Sequence, residues 1–152
     1  MHLLAPLTAL SILASVVTAR YYSVAAPKTI KAGEPFETIL IGDTIYIQSV
    51  YDVAVVFGLG PEKGYPKSLG TVIDSFYLGP EQSNKRQNIT YTLTVPKDYF
   101  LQEGKVTLRM SLFTLWGAAR YPDITSWNVP VELGGVTSED YIRGDLVLNE
   151  QN

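Results

Sequence analysis

The stretch Asn88-Ile89-Thr90-Tyr91-Thr92-Leu93-Thr94-Val95 decides the fold class. Ile89, Tyr91, Leu93 and Val95 alternate one for one with Asn88, Thr90, Thr92 and Thr94, so an extended chain here has one apolar and one polar face. That is the pattern of a half-buried antiparallel strand, and Pro96 ends it. Downstream the same period returns twice. In Lys105 to Leu115 it points Val106, Leu108, Met110 and Leu112 inward and Thr107, Arg109 and Ser111 outward; in Thr125 to Leu133 it points Trp127, Val129, Val131 and Leu133 inward. Pro130 has no N–H to give to a ladder, so it marks an edge position or a bulge. Upstream, four further runs fall between turn signals: Tyr21 to Ala26, Phe36 to Ile41, Asp52 to Leu59 and Gly70 to Leu78. No segment of useful length carries the helical period. Seven short strands predict an all-β fold, an antiparallel two-sheet sandwich of immunoglobulin-like type. Two hallmarks of true immunoglobulin domains are absent, since there is no cysteine pair and no tyrosine corner is evident near Val106. The inference is therefore to architecture.

Ahead of the strands, Leu3 to Val17 is almost wholly apolar and uncharged. It is too short to span a bilayer comfortably, and Val17-Thr18-Ala19 satisfies the small-residue rule for cleavage. Residues 1–19 thus read as a signal peptide, with the mature chain starting at Arg20. The remaining 133 residues suit one domain, expected over 20–135 as the sandwich, with 136–152 as an acidic tail and a candidate for disorder. No later run is long enough for a membrane anchor, so the expectation is a secreted, soluble monomer.

Charge and chemistry narrow the function. Arg20 to Gly135 carries 11 basic and 11 acidic residues, and the tail adds Glu139, Asp140, Asp145 and Glu150 against Arg143. A neutral body argues against a nucleic-acid partner, which needs a basic stripe. The only histidine is His2, inside the signal peptide, and there is no cysteine. This removes nucleophile systems built on histidine and ordinary zinc or copper sites. The expectation is no catalytic, cofactor or metal site. Without disulfides, the fold also loses nothing on entering a reducing compartment.

Several residues remain as candidates. Asn88-Ile89-Thr90 is an N-glycosylation sequon, and the alternation places Asn88 and Thr90 outward. Arg143-Gly144-Asp145 spells an adhesion tripeptide, but reads more simply as a turn in a solvated acidic tail. Asp52, Asp74 and Asp123 could serve glycosidase chemistry only as a suitably spaced pair, and solvated surface carboxylates are the simpler reading. Aromatics are the richest resource: ten Tyr, five Phe and two Trp, with Tyr46, Tyr51, Tyr65, Trp116 and Tyr121 in turn or loop contexts. Such side chains anchor protein interfaces and form sugar-binding platforms. Two function classes follow: a protein-binding module, and a carbohydrate- or cell-wall-binding module.

Longer blocks carry a resemblance. Tyr46-Ile47-Gln48-Ser49-Val50-Tyr51-Asp52-Val53-Ala54-Val55-Val56-Phe57-Gly58 is similar to a block of the necrosis-inducing secreted protein 1 family of fungal effectors. Gly64-Tyr65-Pro66 with Ser68-Leu69-Gly70-Thr71, and Leu78-Gly79-Pro80-Glu81 with Ser83-Asn84, resemble the blocks that follow. Asn88-Ile89-Thr90 and Ser111-Leu112-Phe113 before Gly117-Ala118 also fit, whereas Lys85-Arg86-Gln87 departs. The resemblance covers Tyr22 to about Val131. It implies a secreted effector without enzymatic activity, which suppresses plant pattern-triggered immunity by binding immune receptor-associated kinases, in the extracellular space or the host cytoplasm. In some members it also implies induction of cell death. The matching turns and their aromatics mark Tyr46, Gln48, Tyr51, Tyr65, Pro66, Trp116 and Tyr121 as the expected partner contacts.

Overall fold

The computed structural model describes residues 21–42, 49–65, 68–85, 87–98 and 103–147, and only the backbone of Tyr22. The expected signal peptide and its cleavage site after Ala19 lie outside these residues, as does the end of the tail. In chain order the elements are β1 (Tyr21–Pro27), β2 (Thr29–Ile30), β3 (Pro35–Gly42), β4 (Val50–Pro61), β5 (Thr71–Tyr77), the one-turn α1 (Gly79–Gln82), β6 (Ile89–Thr94), β7 (Gly104–Trp116), β8 (Tyr121–Leu133), β9 (Tyr141–Arg143) and β10 (Asp145–Leu146). All seven expected strands are present.

They form a two-sheet sandwich. One sheet has the order β6-β3-β1-β9; the other has the order β10-β8-β7-β4-β5, with β2 alongside β8. Every pairing is antiparallel except the short β2–β8 contact. The first, second and fifth long strands share one sheet and the other four share its partner, a partition consistent with the immunoglobulin-like type.

Alternation builds the core. Val24, Phe36, Leu40, Tyr91 and Leu93 from the smaller sheet face Phe57, Leu108, Met110, Trp127 and Val129 from the larger, and all ten are buried. An aromatic cluster ties the two sheets at one side: the Tyr91 ring lies 5.2 Å from Phe57 and 4.8 Å from Phe76. Such tilted pairs add stabilisation beyond the area they bury.

Two features differ from the sequence reading. Beyond Gly135 the chain does not leave the sandwich: β9 pairs with β1, and β10 pairs with β8. Ser138 donates its N–H to Thr29 O at 3.0 Å, and Thr137 Oγ1 accepts from Lys31 N at 3.0 Å, so the strap is tied to β2 as well. Ile142 and Leu146 pack on the core. The tripeptide Arg143-Gly144-Asp145 is therefore not a solvated turn. Gly144 is buried at the point where the chain passes from one sheet to the other, and its N–H donates to Val24 O at 2.7 Å. A Cβ there would press on Asn128 and Val129, which is why glycine is required. The other feature is Pro130. It sits in an interior strand, but β10 stops opposite Asn128 and β2 begins opposite Glu132. Pro130 occupies the gap, a local edge where its missing N–H costs nothing.

Candidate functional site

The larger sheet has a second apolar face, turned away from the core. Its origin is visible in β4, where Val53 to Leu59 is apolar in both phases of the alternation. Val55, Phe57 and Leu59 go to the core, which leaves Ala54, Val56 and Gly58 on the outside. The register sets these residues in rows across the strands. Tyr51, Leu115 and Pro122 form the first row. Tyr77, Ala54, Phe113 and Ile124 form the next, and Ser75, Val56, Ser111 and Ser126 the third. Val72, Gly58, Arg109 and Asn128 follow. The face is thus graded along the strands, from aromatic and aliphatic at one end, through a hydroxyl row, to a guanidinium and an amide. Ile124 is 60% exposed and Tyr77 70% exposed, so the apolar end is open to solvent.

Glu62–Tyr65 and Ser68–Gly70 fold back over the polar end. Gly58 and Gly60 make this possible, since a Cβ at either would run into Leu69 or Arg109. Beneath the segment Arg109 is 7% exposed, and its Nη2 donates to Pro61 O at 3.1 Å. Two hollows result. A trough of about 700 Å³ is lined chiefly by Ala54, Val56, Phe113, Pro122 and Ile124. A pocket of about 300 Å³ lies beside it, between Arg109, Asn128 and the Glu62–Tyr65 segment. They share Leu69, Ser111 and Ser126, and the two serine hydroxyls meet at 2.7 Å on the boundary.

The expected contact residues fall in three places. Tyr46, Gln48 and Pro66 lie outside the described residues. Tyr65 is exposed on the segment that roofs Arg109. Tyr51 belongs to the graded face: its hydroxyl is 3.2 Å from that of Tyr77, and the Arg120 guanidinium sits 5.5 Å from its ring centre. The hydrogen bond with Tyr77, then burial, raise the Tyr51 phenol above its ordinary pKa, while Arg120 acts in the opposite direction. Trp116 and Tyr121 pair with each other at the β7–β8 turn, on the side of the sheet opposite Tyr51. The four described members, Tyr51, Tyr65, Trp116 and Tyr121, are therefore not on one face of the sheet. Val56, Tyr77, Phe113 and Ile124 were not among the expected contacts, although Phe113 and Ile124 are apolar residues at outward positions of their strands.

The carboxylates separate in the same way. Asp123 is exposed and Asp74 half-buried, but Asp52 is 1% exposed and is not a solvated carboxylate. Its Oδ1 accepts from Thr114 Oγ1 and its Oδ2 from Asn84 N, each at 3.2 Å. Its own N–H donates to Ser83 Oγ at 2.8 Å. Asp52 thus holds the loop after α1 against the bulge in β4, and both its oxygens are engaged. Among the described residues there is no group of three or more His, Cys, Asp and Glu placed to hold a metal ion, and no helix long and apolar enough to cross a membrane.

The Nis1 family model matches residues 17–132. The chain belongs to the Nis1 family. Necrosis-inducing secreted protein 1 of Colletotrichum orbiculare is 40% identical across the whole of this chain and 93% of that protein. The protein of the same name from Colletotrichum higginsianum is 41% identical over 143 residues, covering 93% of this chain and 97% of that protein. This Nis1 chain is accordingly a secreted effector, located outside the cell that makes it. Every row of the graded face, from Tyr51 to Asn128, lies within the family span, whereas β9 and β10 lie beyond it.

Proposed function

We propose that this Nis1 protein is a non-catalytic effector that binds plant immune receptor-associated kinases, suppresses pattern-triggered immunity and can trigger cell death. The observation that carries the reading is the open apolar face of the larger sheet. Tyr77, Phe113 and Ile124 are held there by the register with no element of the described residues over them. Apolar surface of this kind, bordered by polar groups, marks a protein-interaction site. The partner class is what the resemblance of the sequence blocks implies, and relatives named for necrosis support the cell-death output. The mature chain's lack of histidine and cysteine supports binding rather than catalysis.

The carbohydrate-binding alternative draws less support. A sugar platform needs neighbouring coplanar rings, and the exposed tyrosines among the described residues are dispersed: Tyr77 on the graded face beside the half-buried Tyr51, Tyr121 on its opposite side, Tyr65 on the crossing segment and Tyr141 on the other sheet. The test is co-precipitation of the secreted protein with receptor-associated kinase domains, together with an immune output such as the oxidative burst. The expected result is kinase capture and a reduced burst. No capture at micromolar protein, with retention on chitin, glucan or cellulose instead, would replace this reading with the wall-binding one.

A further inference from the structure

Arg109 presents an unbalanced charge. It is 7% exposed, and its guanidinium is a full positive charge with five N–H donors and no acceptor. Its one hydrogen bond among the described residues is to a neutral acceptor, Pro61 O. None of the ion pairs among the described residues includes it. The acidic residue that lines the same pocket, Glu62, is turned to Lys105, 4.0 Å away. A charge held largely out of water calls for a counter-charge. The space for one exists, because the pocket of about 300 Å³ opens directly onto Arg109.

We propose that this pocket receives an oxyanion side chain, phosphate or carboxylate, from an extended segment of a protein partner. Arg109 supplies the planar pair of donors that matches such a group. The Asn128 amide stands beside it in the same row and the Ser111–Ser126 hydroxyl pair in the next, and all line the same pocket. The apolar trough continues from this pocket, so the partner segment carries an apolar side chain as well. The spacing follows from the strand. Arg109 and Phe113 are four residues apart on β7, about 13 Å at the rise of an extended chain. A partner segment lying along the face therefore presents its apolar residue four positions from its oxyanion. The inference rests on the reading of this protein as a partner-binding effector, and it names the chemistry recognised.

The test is an NMR titration of the full mature chain with three capped peptides of alanine and glycine, each with a leucine four positions after the variable residue. That residue is phosphoserine, glutamate or serine. The expected result is shifts at Arg109, Ser111, Ser126 and Asn128 with the first two peptides, and at least tenfold weaker binding of the serine peptide. Comparing phosphoserine with glutamate distinguishes phosphate from carboxylate as the group preferred. Arg109→Lys, checked for folding by circular dichroism, should lose the difference between charged and neutral peptides, and Asn128→Ala, a change that leaves the buried charge in place, should weaken the charged peptides several-fold. Equal binding of all three peptides, no binding, or shifts away from this face would overturn the proposal. The titration contains no kinase, so the two readings fail separately. Shifts without kinase capture sustain the pocket and remove the kinase reading; kinase capture without shifts at the pocket does the reverse.

Discussion

Tyr91 shows how a single residue's reading divides between sequence and structure. Its inward phase is plain from the alternation with Thr90 and Thr92, and it is 5% exposed. What the alternation could not supply is the fate of its hydroxyl, which has no hydrogen-bond partner among the described residues. Burial, and secondarily the nearby Tyr21, push its pKa far above the ordinary tyrosine value. The sign follows directly. The folded state keeps the proton to higher pH than the unfolded chain, so stability from this group is complete below about pH 10 and declines as pH rises beyond it. Tyr91→Phe should be neutral or stabilising by up to about 1 kcal/mol at pH 7, since a buried group without a partner is removed. It should also flatten the loss of stability above pH 10; urea unfolding at pH 7 and at alkaline pH measures both. Arg109 and Asp52 carry the same lesson with charge. Strand phase assigns Arg109 outward correctly, but its burial depends on Glu62–Tyr65 and Ser68–Leu69, 40 or more positions earlier, crossing above it. Asp52 is buried because Ser83, Asn84 and Thr114 come to it from elsewhere in the chain.

At the scale of elements, the long strands were legible from the two-residue period in β6, β7 and β8 and from apolar runs set between turn signals in β1, β3, β4 and β5. The short ones were not. β2, β9 and β10 have two or three residues each, too few to display a period, and they exist through long-range pairing and the packing of Ile30, Ile142 and Leu146. An acidic run is a fair sign of a solvated segment, but here Gly144 and the alternating Ile142 and Leu146 override it. The crossing of Glu62–Tyr65 and Ser68–Gly70 is likewise a tertiary feature, although Gly58 and Gly60 inside an apolar strand hint at a close backbone approach. Gly58→Ala should destabilise the fold by about 1–3 kcal/mol, because its Cβ meets the backbone of Leu69 and the segment must shift to admit it. Thermal unfolding measures the loss. Limited proteolysis should show faster cleavage after Lys63 in the variant, as the roof over Arg109 loosens.

For the whole molecule, the two sheets have different outer faces. The smaller sheet presents Thr90, Thr92 and Thr94 to solvent, with Asn88 exposed at the entry to β6. Asn88 Oδ1 accepts from Gly42 N at 3.1 Å, which leaves its Nδ2 available for a glycan. The secreted protein should therefore lose mass on glycosidase treatment, and Asn88→Gln should abolish that change without reducing partner capture, because the sequon lies on the sheet opposite the graded face. The larger sheet presents Tyr77, Phe113 and Ile124 instead. The open apolar rows of the larger sheet are the central structural feature and tie the fold to the proposed binding function; on the smaller sheet the outward Ala25 and Ile41 are buried and Ile39 is half-buried, so β6 offers solvent a threonine row. Ile124 is 60% exposed, so Ile124→Lys should change stability little while placing a charge beside Phe113 at the end of the apolar row. Thr92→Lys places the same charge on the other sheet. The most direct measurement is kinase-domain co-precipitation by these two variants side by side with the unaltered protein. The account predicts at least a tenfold loss of capture for Ile124→Lys and none for Thr92→Lys. Capture retained by a folded Ile124→Lys protein, or lost equally in both, would contradict it.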